Sequence, residues 1–199
     1  MDKSILNNSI ILIGPMHVGA SLIAEELSDK CKLPIVDVNK LRKVFFPKFG
    51  YDVKKAEEAK ARGGVKGYLD YQKQFEANLA CYVLDTFLTK PSIVVFGAGF
   101  TVYKDKGLFN EVQDAMHPYK NVINLVLPPN YKAYNLPAQT EINNEFINSN
   151  CNYLLSKFDI TVDIVDYDAK NKEYVFSDYK LKNIIDNIIS LSGNKKVKR

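Results

Sequence analysis

A short apolar run, Ile10-Ile11-Leu12-Ile13, feeds directly into Gly14-Pro15-Met16-His17-Val18-Gly19-Ala20-Ser21, and then into Leu22-Ile23-Ala24-Glu25-Glu26-Leu27. No other stretch of the chain constrains the fold as strongly. An all-apolar run this short that ends on glycine reads as a strand buried on both faces. The residues after Gly19 repeat their apolar positions at helical spacing. A strand, a glycine-bounded loop and a helix start together form the context of a phosphate-binding loop, G-x-x-x-x-G-K-[ST]. The glycines let the backbone curl so that successive N–H groups face one anion, and the helix N-terminus adds partial positive charge. Gly14, Gly19 and Ser21 keep their places in that spacing. Ala20 stands where the lysine that bridges the β- and γ-phosphates belongs. All eight residues from Gly14 to Ser21 are therefore candidate nucleotide contacts, with a plain strand–turn–helix as the competing reading.

The pattern repeats along the chain. Strands are predicted at Pro34–Asp37, Ile93–Phe96, Val122–Leu127 and Ile160–Val165. Helices are predicted over Val18–Lys30, Lys40–Phe46, Asp52–Ala61, Lys66–Thr89 and Leu108–Met116, with helical pieces through Glu141–Phe158. The helix after Asp52 closes at Gly63-Gly64, and Ser177 caps a last helix that buries Leu181, Ile184, Ile185, Ile188 and Ile189. Alternating strands and helices predict an α/β fold, a three-layer α/β/α sandwich around a five-stranded parallel sheet. No linker divides the chain, so residues 1–193 read as one domain and 194–199 as a basic tail. Ligands of such sheets bind beyond the strand carboxyl ends. The loop, Asp37 and Gly97-Ala98-Gly99 all fall there, and they are expected to converge on one crevice.

Charge and cysteines exclude several classes of function. The net charge of +4 is matched by the four positive residues of Lys195-Lys196-Val197-Lys198-Arg199, which leaves the body balanced. Nothing in the body therefore argues for nucleic acid. Cys31, Cys81 and Cys151 are scattered without metal or disulfide spacing, and His17 and His117 have no metal-ligand spacing with them. The start of the chain is polar and its first apolar run is short. The expectation is a cytoplasmic protein with no membrane span.

Phosphoryl transfer needs a loop for the donor phosphates, a magnesium site, a placed acceptor hydroxyl and cations on the migrating charge. Ser21 offers a hydroxyl to magnesium. Asp37 can hold the metal through water or accept the acceptor's proton, or it can simply cap a helix. Gly97, Ala98 and Gly99 can turn backbone N–H groups to an acceptor, or form a tight turn. Arg42 follows Asp37 closely and is the better of the candidate cations.

The chain resembles shikimate kinase and its relatives over nearly its whole length. The resemblance lies in the strand–loop–helix and in Leu33-Pro34-Ile35-Val36-Asp37-Val38-Asn39, which stands where that family has a strand ending in Asp-x-Asp. It continues in the long helix before Pro91 and in Val94-Val95-Phe96-Gly97-Ala98-Gly99, where the family has a strand followed by three glycines. A group of bacterial shikimate-kinase-like proteins is similar through Asp37-x-Asn39-x-Leu41-Arg42, Phe49-Gly50-Tyr51-Asp52 and Phe96-Gly97-Ala98-Gly99-x-x-Val102-Tyr103, and through Asn152-Tyr153 with Leu155 and Lys157.

The resemblance implies ATP and magnesium as cofactors and a small hydroxylated acceptor. It implies an acceptor site of Asp37, Asn39, Arg42, Lys73, Gly97, Ala98 and Gly99, with Ser21 and Asp37 at the metal. Lys73 lies near the family's substrate-binding arginine, although its own position reads as a helix surface. The departures all concern charge and proton transfer. Ala20 removes the loop lysine, and Asn39 replaces a carboxylate. The expected lid, Lys132–Asn150, has no arginine. Lysine is a poorer bidentate partner for phosphate or carboxylate. The implied activity is phosphoryl transfer from ATP that is impaired, with a pseudokinase that binds a nucleotide, metabolite or protein partner as the alternative.

Overall fold

In the computed structural model, residues 2–16, 18–128, 154–163, 165–168 and 173–194 are described. Five strands form one sheet: β1 (Ile10–Ile13), β2 (Ile35–Asp37), β3 (Ile93–Val95), β4 (Asn121–Val126) and β5 (Phe158–Thr161). Their order is β2-β3-β1-β4-β5. Every pairing is parallel, with Ile11 beside Val94 on one side and Val122 on the other. The strand carrying the glycine loop is thus the centre of the sheet. Its four residues are fully buried, as its unbroken apolar run requires.

Helices cover both faces. One layer holds α3 (Val38–Phe45), α4 (Val53–Tyr82) and α5 (Lys106–Met116), packed on Ile11, Ile13, Val94, Phe96 and Val122. The other holds α2 (Ala20–Cys31) and α6 (Asp178–Ser192), packed on Ile10, Leu12, Ile93, Val95, Ile123 and Leu125. The expected three-layer α/β/α sandwich with a five-stranded parallel sheet is what forms. On α6, Leu181, Ile184, Ile185, Ile188 and Ile189 are buried and Ser177 caps Lys180 N.

Three local features depart from the sequence expectation. A short α1 (Lys3–Asn8), capped by Asp2, precedes β1 and buries Ile5. Asn121 ties it down by donating to the Asn7 and Ser9 carbonyls. The segment predicted as one strand at Ile160–Val165 is divided. β5 ends at Thr161, and β6 (Val165–Asp168) pairs antiparallel with β7 (Glu173–Phe176) in a separate two-stranded sheet. Asp163, between β5 and β6 in the sequence, pairs with Lys180 at 3.1 Å. The third departure is at the end of the long helix. Its regular part stops at Tyr82, and Val83–Phe87 forms one π turn.

The double glycine does break the helical run. Gly64 has φ 63° and ψ −151°, so residues on either side form two helices that fold back on each other. A Cβ on Gly67 would strike the Ala59 carbonyl, which shows how closely the two helices meet. The helical pieces expected at Glu141–Phe158 lie largely outside the described residues, as do the lid segment Lys132–Asn150, Asn152-Tyr153 and the tail 195–199.

Candidate functional site

The glycine loop lies at the carboxyl end of β1, the strand flanked by β3 and β4. Gly14 follows β1 with no room for a side chain. A Cβ there would lie 2.9 Å from the Leu125 carbonyl oxygen and 3.0 Å from Val18 Cγ1. The loop then turns through a bond from Val18 N to the Pro15 carbonyl, and it buries Val18 in the core under α2. Gly19 sits at φ 90° and ψ 16°, a left-handed conformation that favours glycine, and α2 begins one residue later. No side chain caps this helix start. Its first amides are the groups a phosphate would use. Ala20 is half-buried against the core, and Ser21 is exposed. Pro15 is buried and Met16 exposed, while His17 lies outside the described residues.

Asp37 ends β2 and starts α3. One carboxylate oxygen accepts from Asn39 N at 3.0 Å, and the other lies 3.6 Å from Lys40 Nζ. It is thus the N-cap of α3. The capping role and a metal role are compatible, because Asp37 and Ser21 line the same cavity of about 370 Å³. Ser21 and Asp37 offer a hydroxyl and a carboxylate, oxygen donors of the kind magnesium takes beside its waters, and among the described residues no group of three or more His, Cys, Asp or Glu gathers to hold a metal. The described part of the loop ends at an uncapped helix start. It lacks the one side chain that would add fixed charge.

The cluster beside the glycine turn after β3 is built around a residue that the sequence pattern did not single out. Glu76, on α4, is 2% exposed. Its Oε1 accepts from Arg42 at 2.6 Å, and its Oε2 lies 3.1 Å from Lys73 Nζ. Lys73 also donates to the Gly99 carbonyl at 2.7 Å. Its side chain is only 20% exposed, so it is not the surface lysine that helix spacing alone suggests. The Arg42 guanidinium stacks 4.5 Å from the Phe100 ring centroid, and its Nε is buried with no hydrogen-bond partner among the described residues. Arg42, Lys73, Glu76 and the glycine turn therefore form one cluster.

The glycines of that turn have a packing role. A Cβ on Gly97 would lie 2.5 Å from Asn39 Nδ2, and one on Gly99 would lie 2.5 Å from Glu76 Oε1. Asn39 and Glu76 occupy the space that the missing side chains leave. Ala98 is buried at the start of the short turn Ala98–Thr101. The structure thus brings Asp37, Asn39, Arg42, Lys73 and Gly97–Gly99 together. Asn39 can donate and accept hydrogen bonds but cannot take a proton as a base.

A buried polar residue of the sheet also lies outside the sequence expectation. Asn124, beside Ile13 in the sheet, donates to Oδ1 of the exposed Asp159 at 2.9 Å, and its own Oδ1 is buried with no partner among the described residues. The only signal in the sequence is one asparagine inside an apolar strand.

No protein-family model matches this sequence, and no curated protein matches it in sequence. Solved structures do match the fold. Shikimate kinase from Bacteroides thetaiotaomicron superposes with a TM-score of 0.55 at 12% identity, covering 92% of this chain and 97% of the other. Shikimate kinase from Aquifex aeolicus gives 0.52 at 13% identity, with 92% and 95% covered. The Acinetobacter baumannii enzyme, solved in complex with shikimate, gives 0.52 at 13% identity, with 99% and 100% covered. The strand order and central loop define an α/β fold of the P-loop kinase type. Within that class the chain has the shikimate-kinase-like fold.

Proposed function

We propose that this chain binds ATP with magnesium and transfers phosphoryl to a small hydroxylated acceptor at a reduced rate. One observation supports the reading: the glycine loop, the cavity lined by Ser21 and Asp37, and the Arg42–Glu76–Lys73 cluster all lie at the carboxyl end of one sheet. The amides of Gly19, Ala20 and Ser21 would hold the phosphates, while Val18 N–H donates to the Pro15 carbonyl inside the loop. Ser21 and Asp37 would hold magnesium, which when bound supplies charge neutralisation on the transferred group. Asn39 and the amides of Gly97–Gly99 would place the acceptor, with Lys73 and Arg42 at its far side. The fold neighbours support this reading, since they are kinases for which a small-molecule substrate is named.

The reduced rate follows from three parts. Ala20 supplies no ammonium. Asn39 cannot take a proton, Asp37 is engaged in capping α3, and the Glu76 carboxylate is held by Arg42 and Lys73. Both acceptor-side cations are paired to Glu76. The same three facts favour a second reading, a protein that binds nucleotide or metabolite without efficient turnover. In either case we place residues 1–193 in one domain with a basic tail at 194–199, acting in the cytoplasm without nucleic acid. Among the described residues no helix is long and apolar enough to cross a membrane.

Transfer of labelled phosphate from ATP to shikimate, and to a panel of other hydroxylated metabolites, tests the proposal. The expected turnover on shikimate is well below the common kinase range of about 1–100 s⁻¹. Ordinary turnover on shikimate would refute the impairment. Transfer to none of the panel, by the native chain or by Ala20→Lys, would favour the binding protein.

A further inference from the structure

The cavity that Ser21 and Asp37 share extends away from the acceptor cluster. It reaches around the edge strand β2, between α2 and α3. Its walls are apolar: Ala24 and Val95 belong to the layer under α2, while Leu41 packs on the layer under α4. Two large apolar side chains stay open to it instead of being buried. Ile35 is 39% exposed and Phe87 37% exposed. Phe87 is delivered there by the π turn at the end of α4, an insertion that often marks a functional site. The rim carries two carboxylates, Glu25 and Asp37, against one ammonium, Lys40. The Lys40 side chain is 83% exposed and sits 3.6 Å from Asp37, a loose contact that a ligand can displace.

A concave apolar space of this size with a few polar groups at one end has the make-up of a small-molecule site. We infer that this side cavity binds a small organic cation with an apolar body, an aryl or branched-alkyl amine. The apolar part would lie on Ile35, Leu41 and Phe87, and the ammonium would reach Glu25 and Asp37. Such a ligand would displace Lys40 from Asp37. It would also occupy the carboxylate that the proposed function gives to magnesium, so amine and metal would exclude each other. The binding itself does not depend on that function, because no nucleotide takes part.

Amide NMR of the full chain titrated with phenethylamine, and separately with its anionic counterpart phenylpropionate, tests the inference. Saturable shifts at Ile35, Val36 and Leu41 are expected with the amine, and at least about threefold weaker binding of the acid. Glu25→Gln, at an exposed position that folding tolerates, is expected to weaken the amine about threefold while leaving the acid unchanged or tighter. Phe87→Ala is expected to weaken both. Magnesium chloride is expected to raise the apparent amine dissociation constant. Equal binding of amine and acid, shifts confined to other parts of the chain, or no saturable shift would each overturn the inference. Failure of the magnesium competition alone would overturn the shared use of Asp37.

Discussion

Glu76→Gln is the sharpest structural perturbation of the candidate site. The substitution keeps the shape of the side chain and removes its charge. It leaves Arg42 and Lys73 facing an amide that can accept at only one atom, and it places two cations near each other without the carboxylate between them. Loss of one member of a fully buried pair costs about 3–5 kcal/mol. Arg42 and Lys73 retain 29% and 20% side-chain exposure, so water relieves part of that cost. The expected loss is about 2–3 kcal/mol, which for a chain of this size is roughly 4–12 °C in Tm. Calorimetric or urea unfolding of the full chain measures it. Arg42→Met in both backgrounds closes a double-mutant cycle, with an expected coupling of at least about 1 kcal/mol between the two sites. A loss below about 0.5 kcal/mol for Glu76→Gln, the size of an ordinary surface change, would refute the view that Glu76 organises the cluster.

Two glycines are expected to respond differently to alanine. At Gly14 the new Cβ meets a backbone carbonyl at 2.9 Å, so Gly14→Ala should cost about 1–3 kcal/mol in unfolding. At Gly97 it meets the end of the exposed Asn39 side chain, so Gly97→Ala should cost less stability and register instead as weaker acceptor binding in titrations. Burial pushes the Cys81 thiol up to about 11 from an ordinary 9.0, with Asp85 and Glu111 adding to the effect. Cys81 should therefore alkylate slowly at neutral pH. Its contribution to stability is full below about pH 9 and lost as pH rises towards 11, so Cys81→Ala should flatten that part of the alkaline stability profile.

The strand–loop–helix of residues 10–27 was legible because three local signals agree: a fully apolar strand, a glycine at a left-handed position and an amphipathic helix. The helical break at Gly63-Gly64 was legible for a similar reason, since glycine is the residue that adopts φ 63° without strain. Asp37 and Gly97–Gly99 could be placed at strand ends from the apolar runs before them. Glu76 could not. It follows Phe75 on the flank of the apolar stripe, and a lone charge there looks solvated. Lys73, three residues earlier on the same helix, pairs with it, but the bond to Arg42, 34 residues away, is one that no local pattern reveals. The β6–β7 hairpin was hidden because Ile160–Val165 reads as one strand, and the ion pair from Asp163 to Lys180 that accompanies its division is again nonlocal. The π turn leaves no mark on helical spacing until it displaces Phe87.

The phosphate-loop claim is tested most directly by calorimetric titration of MgATP into the native chain and into Ala20→Lys. Position 20 opens α2, where lysine is a good helix former, and Ala20 is only half-buried, so the variant is expected to fold. The new ammonium adds a charge-assisted contact of about 1.5–3 kcal/mol. Saturable binding to the native chain is expected, tightened by about one to two decades in the variant. No heat of binding in either protein would contradict a nucleotide site at Gly14–Ser21.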